Sequence, residues 1–276
     1  MKKTAPFLLI AALMFGMVSC HNSDPKIVFQ NYEYEDNPFA ENEDTIGIQF
    51  SLKIQLPNME KMNEQERNAM QAMCDTLMSR LLEPYYRFQK PDQAIKDYCD
   101  SIRKEFEEFA VIDDPTEAGT PNYQWVQEIS LIPELVTPEL IVYNGNIYAY
   151  TGGIHPSSTT VFFLFDLKSG KQLTEKDIFT WGEAAQPKTD DAYKALTELM
   201  HKQLQKMCEQ SEDYTADDID WESVEPNDNF EITKEALVYH FDTYEIADDN
   251  MDIVIPNHEL KQYMKEDTPL YRYWFK

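Results

Sequence analysis

TIGIQFSLKIQL, residues 45–56, alternates almost without a break. Ile46, Ile48, Phe50, Leu52, Ile54 and Leu56 fall on one face, and Gly47, Gln49, Ser51, Lys53 and Gln55 on the other. Successive strand side chains point to opposite sides, so this is a half-buried strand of a sheet covered on one face. The cover follows directly. Met62, Met70, Met73, Leu77 and Leu81 recur at helical spacing over about 59–82. A second helix starts near Pro91, a good first-turn residue, with Ile95, Tyr98, Ile102, Phe106 and Phe109 as its stripe. A third stripe, Tyr193, Leu196, Met200, Leu204 and Met207, runs over 189–210. The class expected is α+β: antiparallel sheets covered on one face by helices, in two closely packed parts.

The middle of the chain, YAYTGGIHPSSTTVFFLFDLKSG (148–170), reads as strand, break, strand and turn. Gly152-Gly153 ends the strand at Tyr150, and Pro156 biases His155 toward extended geometry. Thr159–Asp166 is the next strand, closed by a turn with Gly170 at a left-handed position. His155 reads as a ligand or proton carrier, or as a hydrogen-bonded tether packing the break onto the sheet. No HxxxH or HxH spacing supplies it with a metal partner. Leu140–Val142 and Ile147–Tyr150 flank Asn144-Gly145, a two-residue hairpin signal. Pro133 interrupts the preceding strand, and Phe230–Phe241 reads as a hairpin turning at Thr233-Lys234-Glu235.

These residues resemble a known domain family. The carriers are Tyr150-Thr151-Gly152-Gly153-Ile154-His155-Pro156, then Phe165-Asp166-Leu167-Lys168-Ser169-Gly170-Lys171, then Leu173-Thr174 before Asp177-Ile178-Phe179. Phe230-Glu231-Ile232-Thr233, Tyr244-Glu245-Ile246, Val254-Ile255-Pro256 and Glu259-Leu260 continue the order. The family is a domain of unknown function from the extracellular part of RsiV-type anti-sigma factors, also found before some peptidoglycan deacetylases. With its companion N-terminal domain it covers about residues 44–264. The resemblance implies a non-catalytic envelope domain and, for the RsiV type, a lysozyme-binding one. Ile154 stands where the family usually has Ala, and Ala247-Asp248-Asp249-Asn250 replaces a Pro-Tyr stretch.

The first residues read as an address. Lys2-Lys3 precedes an apolar run, Phe7–Val18, too short to span a bilayer. It ends in Met17-Val18-Ser19-Cys20, which resembles a lipobox, so residues 1–19 are a signal peptide and Cys20 carries lipid. His21 rather than Asp after Cys20 fits passage to the outer membrane of a bacterial envelope. Residues 20–43 then read as an acidic tether, 44–137 as an N-terminal subdomain, and 138–276 as a C-terminal subdomain of the RsiV type. Cys74, Cys99 and Cys208 fall on predicted helices. Cys74 and Cys99 pair only if their helices are antiparallel neighbours, which spacing does not decide.

Net charge is −26 over 276 residues, and mean hydropathy is −0.55. Nucleic acid is excluded by the sign of the charge, and a cationic partner would be drawn in. Residues 209–231 contain no Lys or Arg, and Asp217, Asp218, Asp220, Trp221 and Glu222 form a candidate steering loop. Asp218, Asp220 and Glu222 alternate as in calcium loops, but Ser223 replaces the required glycine. No cofactor or metal is expected. The function expected is a lipid-anchored binding protein without catalysis, its partner a cationic protein such as lysozyme, or peptidoglycan glycan. The alternatives are a cell-wall hydrolase using His155 with Ser157 or Ser158, and a purely structural envelope lipoprotein.

Overall fold

The computed structural model describes residues 27–38, 47–112, 124–184, 186–211 and 214–276. Cys20, the leader and part of the expected tether lie outside them. Strands β1 (Phe29–Asp36) and β2 (Gly47–Pro57) precede helices α1 (Glu64–Leu81) and α2 (Pro91–Ile112). Strands β3 (Gln124–Val136), β4 (Leu140–Tyr150), β5 (Ser157–Asp166) and β6 (Gln172–Leu173) follow. The remainder is α3 (Glu175–Ile178), α4 (Asp191–Gln210), β7 (Phe230–Ile232), β8 (Ala236–Phe241), β9 (Met251–Pro256), α5 (Asn257–Leu260) and α6 (Pro269–Phe275). The strands make a six-stranded sheet in chain order β1–β6 and a three-stranded sheet β7-β8-β9. The α+β class is therefore as expected. Among the described residues no helix is long and apolar enough to cross a membrane.

The chain forms two compact units. Unit 1 is Met1–Ile132 with Gly145–Thr159, and unit 2 is Pro133–Asn144 with Thr160–Lys276. The division is thus not the single one expected near Pro138: β3, β4 and β5 each supply residues to both units.

In unit 1 the apolar face of β2 is buried as its alternation requires, from Ile48 to Leu56, and α1 and α2 pack on it. α1 starts on a capping box, with Asn63 accepting from Glu66 N at 3.0 Å and Glu66 Oε2 accepting from Asn63 N at 2.9 Å. Two expectations fail here. Part of the expected tether is strand β1, antiparallel to β2 from Phe29↔Pro57 to Asp36↔Phe50. Glu33 and Glu35 face outward while Tyr32, Tyr34 and Asp36 turn inward, and Tyr34 meets Phe50 edge-on at 6.0 Å. β2 and β3 pair in parallel, not antiparallel, which the long helical crossover between them permits. Cys74 and Cys99 are separate, buried, free thiols; burial pushes each up to about 12, so they are inert at neutral pH.

Unit 2 builds its core from Leu140, Val142, Leu164, the α4 stripe and the inner faces of β7–β9. Asp166–Gly170 forms the expected turn: Gly170 has φ 70°, its N–H donates to Asp166 O at 2.8 Å, and Asp166 Oδ1 accepts from Lys168 N. Asn144-Gly145, expected to turn, lies inside β4. Such a dipeptide turns the chain only when its flanks pair with each other, and β4 instead lies between β3 and β5. Asn144 Nδ2 donates to Glu134 Oε1 at 2.7 Å. Pro133 likewise does not break β3. The aromatic tail folds as α6, with Trp274 Nε1 donating to Thr233 O at 2.9 Å.

Candidate functional site

The β4–β5 connection presents its residues outward. Tyr150 is half-buried at the end of β4. Gly152 takes φ 84°, the left-handed conformation that reverses the chain without a Cβ clash. Gly153, Ile154, His155, Pro156, Ser157 and Ser158 are all exposed, Ile154 at 92%. Among the described residues His155 makes no hydrogen bond or ion pair, with a carboxylate, a hydroxyl or any other group. The connection offers an exposed tip with Ile154 as its most exposed apolar side chain.

The acidic loop between α4 and β7 is built differently, because its own side chains fold it. Thr215 N and Oγ1 donate to Asp218 Oδ2 at 2.7 and 2.9 Å, which holds that carboxyl below its usual range. Asp220 Oδ1 accepts from Glu222 N, and its Oδ2 accepts from Ser223 Oγ. Two of the alternate carboxylates that resemble a calcium loop, Asp218 and Asp220, are therefore spent on local turns, and among the described residues no group of three ligating side chains could hold a metal. Ile219 and Val224 are buried, and Asp220 N donates to Ile246 O. Trp221 is half-buried, its indole N–H donating to Ala216 O at 2.9 Å and its ring 5.5 Å from that of His201. At the far end Glu225 accepts from Tyr193 OH and pairs with Lys188. On this fixed frame Asp217, Asp218, Asp220 and Glu222 stay exposed.

A third cluster was not anticipated. The amide of Asn229 acts as a peptide group along the open edge of β5: Oδ1 accepts from Phe162 N at 3.0 Å, and Nδ2 donates to Thr160 O at 2.8 Å. Asp242 Oδ1 accepts from Thr160 N. Residues 160, 162 and 166 present their amides to the same side of the strand, and Asp166 N already meets Lys171 O. Side chains thus cover the edge of β5 at residues 160–162, next to the stretch that pairs with the two-residue β6. Behind them sits buried His240, its Nδ1 2.6 Å from Asp252 Oδ1 and its Nε2 3.2 Å from Asp242 Oδ1. Asn229→Ala removes the acceptor of Phe162 N–H and the donor to Thr160 O, and is expected to destabilise by about 1–2 kcal/mol. Asn229→Asp keeps the acceptor but loses the donor, so it should not restore stability. Urea midpoints of the two variants against the native chain check both statements.

Glu175, in the first turn of α3, is buried and pairs reciprocally with Asp228. Glu175 N donates to Asp228 Oδ1 at 2.7 Å, and Asp228 N donates to Glu175 Oε1 at 3.0 Å. Burial, and next the Asp228 charge, raise the Glu175 carboxyl to about 7.

Comparison with known proteins places part of this chain. The family model described as "Protein of unknown function (DUF3298)" matches residues 176–251, which contain α4, the acidic loop, Asn229 and His240. No curated protein matches. The crystal structure of a DUF3298 family member from Bacteroides fragilis aligns with a TM-score of 0.74 at 20% identity, covering 92% of this chain and all of that one. A DUF3298 family protein from Pseudomonas aeruginosa aligns at 0.52 and 16% identity, over 90% and 97%. At these identities the likeness is one of fold. Residues 176–251 match the DUF3298 domain of unknown function, and the chain shares its fold with two proteins of that family.

Proposed function

We propose that this protein is a non-catalytic binding protein of the bacterial cell envelope, held to the outer membrane by lipid on Cys20. Its partner is a cationic protein, lysozyme being the one the RsiV-type resemblance implies. The observation that supports this best is the acidic loop. Asp217, Asp218, Asp220 and Glu222 are exposed on a backbone already fixed by its own hydrogen bonds. A pre-ordered loop loses little freedom on binding, and its charge accelerates encounter with a basic partner. The half-buried Trp221 beside those carboxylates supplies the aromatic contact that interface centres favour.

The test uses the chain beginning at His21 and hen lysozyme on a biosensor. Association is expected to slow about tenfold between roughly 50 and 300 mM salt, since exposed charges are screened beyond a Debye length. Asp217→Lys with Glu222→Lys should slow it further and flatten the salt dependence. A rate indifferent to both salt and these substitutions would rule the loop out.

A further inference from the structure

The segment between α1 and α2 in unit 1 is unlike the rest of the chain. Acidic residues outnumber basic ones 50 to 24 overall, yet Pro84-Tyr85-Tyr86-Arg87-Phe88-Gln89-Lys90-Pro91 has two bases and no acid. Tyr86 is its nail: the ring is buried edge-on to Tyr98 at 5.9 Å, with its hydroxyl 3.3 Å from Ser101 Oγ. On either side of the nail, Tyr85 and Phe88 are each 78% exposed. Phe88 holds φ 104°, a backbone conformation that residues with a side chain avoid, and the Arg87 guanidinium lies 5.0 Å from its ring centroid. Exposed rings beside basic side chains are what a water–lipid interface selects, the rings at headgroup depth and the cations at the phosphates.

The fold puts this segment where the chain enters unit 1. The Asp92 charge is near enough to add to burial in raising the Tyr32 phenol, while Arg103 donates to Tyr34 OH and to Asp36 Oδ2. Eleven helical residues rise about 16 Å and four strand residues about 13 Å, so α2 runs alongside β1 in the same direction. The start of α2, with the Pro84–Pro91 segment before it, therefore lies on the Tyr32 side of Arg103, toward the first half of β1. Val28 is 58% exposed at that end, its carbonyl accepting from Asn58 N. From Cys20 to Val28 is eight residues, which span at most about 28 Å.

We propose that Tyr85, Phe88, Arg87, Lys90 and Val28 form a surface that rests on the anionic headgroup layer of the bilayer anchoring Cys20. This rests on the lipid anchoring proposed above. The short link keeps this end of unit 1 within reach of the bilayer. The acidic remainder is repelled by the same lipid charge, so the basic aromatic end turns toward the membrane.

The test takes the full chain, lipidated in a bacterial host and reconstituted into phosphatidylethanolamine–phosphatidylglycerol vesicles. Nitroxide labels are placed at Tyr85→Cys, at Phe88→Cys and, as a control, at Asp217→Cys. The native thiols at 74, 99 and 208 are buried and do not compete. Labels at 85 and 88 should lose access to an aqueous nickel chelate severalfold and gain access to oxygen, while the 217 label stays aqueous. Arg87→Glu with Lys90→Glu should return the 85 label toward water. Intact mass reads the anchor separately: an unmodified Cys20 overturns the anchoring and this proposal with it. A lipidated chain whose 85 and 88 labels are as water-accessible as that at 217 overturns the proposal alone and leaves the surface to a soluble partner.

Discussion

Gly182→Ala is expected to lower the free energy of unfolding by about 3 kcal/mol or more, the range of overpacking against groups that cannot move. A methyl group at 182 would sit 1.8 Å from the Lys176 carbonyl oxygen, 2.5 Å from its carbon and 2.7 Å from its Cα. All three are backbone, so no rotamer change relieves the clash. The Lys176 carbonyl is also held, accepting from Lys265 Nζ at 2.8 Å. Moving residue 182 instead would disturb Trp181, which is 1% exposed and stacked on Phe179 at 4.3 Å. Gly153→Ala is the control. The nearest atom to its added carbon is His155 O at 3.9 Å, an ordinary contact, so its change should stay within about 0.5 kcal/mol. Equilibrium urea unfolding of both variants compares them directly; equal midpoints would mean that α3 and the following turn are not packed as described.

Glu175→Gln is expected to remove a pH dependence of stability of about 3 kcal/mol, the free-energy equivalent of a carboxyl raised from 4.5 to about 7. Below pH 4.5 the carboxyl is neutral in both folded and unfolded chains, and nothing is lost. Between 4.5 and 7 the unfolded chain gains by ionising while the native chain holds the proton, so native stability falls as pH rises. Above 7 both are ionised and the deficit is constant. The substituted amide carries no charge to bury but keeps an oxygen for the Asp228 N–H. Burial, and next the Glu175 charge, also push Tyr239 well above its usual value, so both groups resist ionisation there. Unfolding free energies at about pH 4.5 and pH 8 test this: the variant should gain on the native chain as pH rises. Asp177 and Asp218 act in the opposite sense, being held low, and stability from them is lost only as pH falls below about 3.8.

What could be read from residues alone was what depends on neighbours in sequence. The β2 alternation, the helix stripes and the Asp166–Gly170 turn are local patterns. β1 was misread because its acidic composition masked the alternation of Tyr32 and Tyr34, which matters only once β2 offers a partner. Asn144-Gly145 misleads for another reason: its turn chemistry is sound, but both flanks pair with the neighbouring strands β3 and β5 rather than with each other. The acidic loop was legible as charge, though not as a self-folded turn. Asn229 was invisible because nothing local marks an amide that will stand in for a strand. His240 and Asp252 face each other only through the β8–β9 register.

The chain passes between its two units three times, at residues 132–133, 144–145 and 159–160. Neither unit is a module in the genetic sense. Exchanging one for a relative's would require three breakpoints inside a single sheet, and a protease acting at any one loop would release neither half intact.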